Sequence, residues 1–356
     1  MHFLFNPLAR LQEGLASMGG ADFSARVEVG SSDEFGELAM GFNRMAETLQ
    51  ELYQNLEAIL NHHPKYVLVL AGDHIYKMDY GPMIAYHVEK GADITVGVVE
   101  VPRATAANAF GVLTATEWHR VTKFTEKPAE PDPVPGRPDS ALASMGIYVF
   151  STALLERLLV ANAANPASRH DFGRDIIPDA IANLQVFAYP FQDVKTRAQS
   201  YWRDVGTIDA YYEANLELVH VAPELNIYDE EWPIWTYQLQ QPPAKFVLDD
   251  GERVGTAINS MVAGGAIVSG ASIRESLLFS NVRVNERSTV HRSVILPGVQ
   301  IGRGCHVRGA IVDEGCELPD GLRIGFDPAQ DRERFFVTDR GVVLVTAGML
   351  RQLDRP

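Results

Sequence analysis

The chain has 356 residues, 46% of them hydrophobic and 22% charged, with a formal net charge of −15 and two cysteines. This is the composition of two or three globular domains and excludes a disordered chain; so acidic a surface argues against a nucleic-acid groove but still permits a nucleotide site built on a metal and a few local cations. Cys305 and Cys316 are too few for a disulfide framework, which predicts a reducing, cytoplasmic setting, and no apolar run approaches the roughly 20 residues of a membrane span.

Residues 1–61 read as helical. Pro7 precedes a short apolar stripe at Leu8, Leu11, Leu15 and Met18. A connector from Gly19 to Val29 follows, and Ser31-Ser32-Asp33-Glu34 starts a second helix. From Phe35, apolar residues at Leu38, Phe42, Met45, Leu49, Leu52, Leu56 and Ile59 alternate steps of three and four, the seam of a parallel coiled coil. Helix, connector and helix, with Asp33-Glu34-Phe35-Gly36-Glu37-Leu38-Ala39 and Phe42-Asn43-Arg44-Met45-Ala46, resemble a HAMP domain, the dimeric relay module of bacterial receptors.

Over 62–238 short apolar runs alternate with helical stretches. Strands are predicted at Tyr66–Leu70, Ile94–Val101, Val121–Phe124, Met145–Phe150 and Val186–Tyr189, and helices at Tyr80–Lys90, Thr152–Val160 and Ile208–Leu218. Such alternation predicts an α/β fold, a Rossmann-like sheet covered on both faces.

A repeat of 17 residues governs 239–356. It relates Ile267, Val284, Ile301 and Leu318, then Ile273, Val290, Val307 and Ile324, then Met261, Leu278, Ile295 and Val312. Three apolar positions per repeat predict a triangular coil whose stacked turns share one core. Hexapeptide-like words such as Ile301-Gly302-Arg303-Gly304-Cys305-His306 resemble those of a left-handed parallel β-helix.

Five short motifs can carry chemistry. Asp73 ends Tyr66-Val67-Leu68-Val69-Leu70-Ala71-Gly72-Asp73, at the strand end where α/β sheets bind ligands, although a helix cap would use the same residue. Asp204, in Trp202-Arg203-Asp204-Val205-Gly206-Thr207, is a second carboxylate, for a metal or for an ion pair with Arg203 or a neighbour. Two converging carboxylates suit Mg²⁺, which takes oxygen ligands and keeps substrate phosphates. Glu126-Lys127-Pro128 offers a rigid lysine for a sugar phosphate, or an ordinary strand-end turn. Gly111 permits close approach to the backbone, and Ser144 presents a hydroxyl.

In this order the motifs resemble those of the glucose-1-phosphate adenylyltransferase family. The likeness runs from about Lys65 to Gln352 and includes Leu70–Tyr80, Ala143–Phe150, His170-Asp171-Phe172-Gly173, Tyr201–Thr207 and Pro242-Pro243-Ala244-Lys245-Phe246. It implies that Asp73 and Asp204 hold Mg²⁺, that Lys127 with Glu126 binds glucose 1-phosphate, and that Gly111 and Ser144 contact the glucosyl group. The reaction implied is ATP plus glucose 1-phosphate to ADP-glucose plus pyrophosphate, by a tetramer in the family, or by a dimer here if the coiled coil enforces one.

The family also implies a glycine-rich loop around the ATP phosphates and an Arg-Ala-Lys-Pro stretch, and neither word occurs in the chain. ATP binding is therefore expected to be impaired, and Tyr66–Leu70 to lie at an unpaired apolar sheet edge. A dimeric, non-catalytic sensor of sugar phosphate or ADP-glucose, or a chimeric reading frame, would also account for this layout. Near the C-terminus, Ala347 stands where the resemblance implies a basic effector residue, while Arg351 is retained.

Overall fold

A computed structural model of the chain describes residue 43 and residues 62–193, 196–236, 239–251 and 253–353. The HAMP-like segment over 1–61 therefore lies outside the described residues, apart from the helical Asn43. Ahead of the repeats the elements are β1 (Tyr66–Val69), β2 (His74–Tyr76), α1 (Gly81–Glu89), β3 (Ile94–Pro102), α2 (Arg103–Ala106), β4 (Gly111–Ala115), β5 (Val121–Glu126), β6 (Ser140–Ser151), α3 (Thr152–Ala163), α4 (Ile177–Ile181), β7 (Val186–Pro190), β8 (Trp202–Asp204) and α5 (Ile208–Glu217). They fall into two compact units. One comprises the described residues up to Leu70 with Asp79–Phe191, and the other Ala71–Met78 with the described residues from Gln192 onward.

The first unit is a six-stranded sheet in the order β5-β4-β6-β3-β7, with β1 also paired to β6. The first six residues of β3, Ile94–Val99, are all buried, so both sheet faces are covered along this stretch. One face packs Ile94, Val96 and Val98 with Phe150, Leu154, Leu155 and Ile177. The sheet is mixed: β3 and β7 are parallel, whereas β6 is antiparallel to β1, β3 and β4. Gly111–Ala115, noted in the sequence only for its glycine, is a full strand between β5 and β6. Among the described strands β1 pairs with β6 alone; Val67 and Val69 pack on the core, and Leu70, at its end, is 45% exposed.

In the second unit β2 and β8 form an antiparallel ribbon, and the repeats build three parallel sheets. The 17-residue register aligns Val290, Val307 and Ile324, and likewise Ile295 with Val312 and Ile301 with Leu318. The first coil departs from it. Val262 rather than Met261 pairs with Leu278, and Val268 rather than Ile267 pairs with Val284. Accordingly Val268 is fully buried and Ile267 is not. The cause is one residue fewer at the corner: Gly270-Ala271 turns the chain between Val268 and Ile273, where the next coil uses Glu286-Arg287-Ser288. Helix α5 lays Tyr212 and Leu216 against Leu277, Val294, Ile311 and Val342 of this solenoid. That packing draws residues 192–236 into the solenoid unit, whereas the sequence drew its boundary after residue 238.

Candidate functional site

Two side-chain clusters emerge, each inside one unit. In the second unit the ribbon pairs His74 with Asp204, and the Val205 N–H donates to the Asp73 carbonyl at 3.0 Å. Ligand atoms of Asp73, His74 and Asp204 all lie within 4.8 Å of one another. His74 Nε2 sits between the carboxylates, 3.3 Å from Asp73 Oδ1 and 3.5 Å from Asp204 Oδ2. Its ring meets Trp202 edge-on at 5.0 Å, and its buried Nδ1 has no hydrogen-bond partner among the described residues. The imidazole is thus oriented by the two acids and the indole. The Gly206 N–H donates to Asp204 Oδ1 at 2.8 Å, which fixes that carboxylate in an Asx turn.

The donor set fits a hard divalent cation. It offers two carboxylates, and the Asp73 side chain is 60% exposed, so a hydrated ion can reach it. A Cβ at Gly206 would lie 3.2 Å from Asp204 Oδ1 and 3.4 Å from Asp73 Oδ2, crowding the space both oxygens face. A helix cap does not describe Asp73 and an Arg203 pair does not describe Asp204, whereas the reading of Asp204 as paired with a neighbour is met by His74. Asp73 precedes a strand, and the N-cap of α1 is Tyr80. Arg203 pairs with Glu213 and Glu217 on α5.

In the first unit Gly111 opens β4 opposite Glu126, the last residue of β5. A Cβ on Gly111 would fall 2.5 Å from Phe124 Cζ and 2.8 Å from Glu126 Oε2, and one on Gly173 would fall 2.6 Å from the same oxygen. The Glu126 carboxylate is therefore seated against two glycine backbones. Burial pushes its pKa above the usual carboxylate range and Asp171 adds to this, while Lys127 and Arg174 oppose it. Asp171 caps a π-helical turn, Phe172–Ile176, accepting from the Gly173 N–H at 2.8 Å and the Arg174 N–H at 2.9 Å. Lys127 takes a left-handed backbone (φ 47°), and its N–H donates to the Phe110 carbonyl at 3.1 Å.

Ser144 is buried where β6 bulges against β3, just ahead of Gly146 (φ 68°). Its Oγ accepts from the Gly146 N–H at 3.2 Å and lies 3.5 Å from the Tyr148 hydroxyl. Burial pushes Tyr148 up to about 12, with Glu126 and Asp171 adding to it, so its hydroxyl remains a hydrogen-bond donor. The sequence reading picked out Gly111, Glu126, Lys127 and Ser144 but assigned nothing to Tyr148, Asp171, Gly173, His74 or Gly206. The signals were present in two short words: Asp171-Phe172-Gly173 and Asp204-Val205-Gly206 are Asp-X-Gly turns, each with a glycine beneath a carboxylate.

Comparison with known proteins agrees with both halves of the chain. The nucleotidyl transferase family matches residues 21–220, opening inside the segment that the sequence reading likened to a HAMP domain, and the GlmU-like C-terminal hexapeptide family matches residues 242–345. The chain is 56% identical over 328 residues to a glucose-1-phosphate adenylyltransferase of Nitrosococcus oceani, covering 90% of this chain and 77% of that one. It is 56% identical over 307 residues to the Methylococcus capsulatus protein of that name, covering 86% and 72%. Against glucose-1-phosphate adenylyltransferase 2 of Alkalilimnicola ehrlichii it is 56% identical over 305 residues, covering 86% and 72%. With a nucleotidyltransferase sheet, a hexapeptide solenoid and relatives this close, the chain belongs to the glucose-1-phosphate adenylyltransferase family.

Proposed function

We propose that this chain binds glucose 1-phosphate and ATP and carries out the family reaction with Asp73 and Asp204 as its metal ligands. The observation that supports this most directly is the approach of those two carboxylates on the β2–β8 ribbon. A phosphate oxygen of glucose 1-phosphate forms a bond to the α-phosphorus of ATP. The bond from that phosphorus to its bridging oxygen breaks, and pyrophosphate leaves with the electron pair. Little of this is covalent work for the protein, so alignment and charge neutralisation dominate.

Bound Mg²⁺ would offset the charge of the phosphates. Asp73 and Asp204 would hold it, with Gly206 leaving the space open and His74 keeping the two acids together. Lys127 neutralises the sugar phosphate. Glu126, Ser144 and Tyr148 supply both donors and acceptors for glucosyl hydroxyls, and Gly111 lets the ring approach the backbone. Assembly as a homo-oligomer belongs to the same proposal.

Calorimetry on the full chain tests it. Glucose 1-phosphate should bind to the wild type and to Asp204→Asn alike, while Mn²⁺, used as the metal probe, should bind only to the wild type. Unchanged metal affinity in both Asp73→Asn and Asp204→Asn would overturn the metal assignment.

A further inference from the structure

Of the three residues in the metal cluster, His74 is the one whose chemistry allows two roles. An imidazole nitrogen can ligate a divalent cation, or it can hold the carboxylates that do. The surroundings of the ring decide between them. His74 and Asp204 face each other across the β2–β8 ribbon. Trp202 lies diagonally opposite His74 on the same face, because side chains alternate along a strand. Arg203, between Trp202 and Asp204, turns to the other face and pairs with Glu213 and Glu217 on α5. The His74 side chain is only 9% exposed and its ring meets the Trp202 indole edge-on, so it has little freedom to swing away.

The partners of each ring nitrogen place the proton. Nδ1 is buried and has no hydrogen-bond partner among the described residues. A proton there would be a buried donor left unpaired, which is costly. Nε2 instead faces Asp73 Oδ1 at 3.3 Å and Asp204 Oδ2 at 3.5 Å, two acceptors that a single N–H can share. A histidine that ligates through Nε2 carries its proton on Nδ1 and usually hands it to a carboxylate or a carbonyl. His74 has no such group at Nδ1 among the described residues. Its proton therefore belongs on Nε2, where it excludes a bond to a metal.

The two acids need this donor unequally. Asp204 Oδ1 already accepts from the Gly206 N–H at 2.8 Å. The Asp73 side chain is 60% exposed, and His74 is its only polar partner among the described residues. Two carboxylates whose ligand atoms fall within 4.8 Å of each other repel until a cation arrives. The exposed one would then turn into water unless something held it. We infer that His74 is a positioning residue: its Nε2–H holds the Asp73 carboxylate at the spacing of the metal site before the cation binds, and the ring is not itself a ligand. This rests on the assignment of Asp73 and Asp204 as the metal ligands. The cation then meets only oxygen, so the site keeps a preference for Mg²⁺ or Mn²⁺ over the Zn²⁺ that an imidazole ligand would favour.

Mn²⁺ binding to the full chain, followed by calorimetry and by electron spin echo spectroscopy, tests the role. His74→Leu removes the donor and should weaken Mn²⁺ binding by about tenfold or more, the usual effect of losing an orienting partner. His74→Gln carries an amide N–H to a similar reach and should restore most of that affinity. The spin echo of the wild type should show no modulation from a directly bonded histidine nitrogen, and this readout needs no variant to fold. A bonded nitrogen would overturn the inference. So would Mn²⁺ affinity in His74→Leu equal to that of the wild type, or an equal loss in both variants. Should the wild type bind no Mn²⁺ at all, the metal assignment itself falls and this inference with it.

Discussion

The two acid clusters make an instructive pair. Glu126 is enclosed, its carboxylate pressed against the backbones of Gly111 and Gly173, with Tyr148 and Asp171 close enough to feel its charge. Asp73 and Asp204 stand on a two-stranded ribbon, and Asp73 faces water. Burial penalises a charge and favours a group that trades hydrogen bonds with neutral hydroxyls. An open pair of carboxylates can instead take over part of a cation's water shell without stripping it. In the function we propose, one acidic chemistry serves a sugar in one unit and a metal in the other, and the local degree of solvation separates them.

The contrast can be broken most forcefully at the metal cluster. Asp204→Asn should lower kcat by about 10²–10³-fold, the loss typical of removing one preorganised electrostatic group. In steady-state assays the decrease should persist at saturating glucose 1-phosphate, with thermal stability held. In the sugar cluster the expected signature is opposite: Lys127→Ala should raise the KM for glucose 1-phosphate by about 10–100-fold, matching the loss of a charge-assisted hydrogen bond. Should Lys127→Ala depress kcat instead, the two clusters would not divide the labour as described.

Packing gives the next test. Gly111→Ala forces a methyl onto Phe124 and Glu126 and should cost about 1–3 kcal/mol by denaturant unfolding. Gly206→Ala meets only looser contacts, at 3.2 Å or more, and should cost less while still weakening Mn²⁺ binding.

Charge burial sharpens the comparison further. Because the folded pKa of Glu126 is raised, its contribution to stability is complete below the ordinary carboxylate range and is lost as pH rises through the folded value. Glu126→Gln should therefore melt above the wild type at pH 7, with the gap closing in acid, while sugar affinity falls. Equal melting curves at pH 7 would show the carboxylate to be solvated after all. The smallest effect is expected at His87, away from both clusters. It is buried on α1 with Nδ1 2.9 Å from Thr95 Oγ, and burial lowers its pKa although Asp93 acts against this. Its contribution is complete above about 6.5 and is lost as pH falls toward the folded value. The acid-side decline in melting temperature should be shallower in His87→Leu.

Much of this protein is legible in one dimension. Short β-branched runs such as Ile94–Val99 read as strands buried on both faces, and the repeat of 17 closes if each coil stacks on the last, because both patterns are local statements about which side chains avoid water. The motif words also bring Asp73 forward as a candidate, since a carboxylate after a strand and a glycine is a short-range arrangement. Tertiary structure decided the rest. No spacing joins Asp73 to Asp204 across more than a hundred residues; the β2–β8 ribbon does, and it recruits His74 on the way. The shortened first coil at Gly270-Ala271 shows only in the pairing of Val268 with Val284. The enclosure of Glu126 likewise depends on Gly173, which a π-helical turn carries back onto a strand end far from it in the chain. Hydrophobic periodicity is set residue by residue, whereas solvation of a charge is set by whatever the folded chain happens to lay beside it.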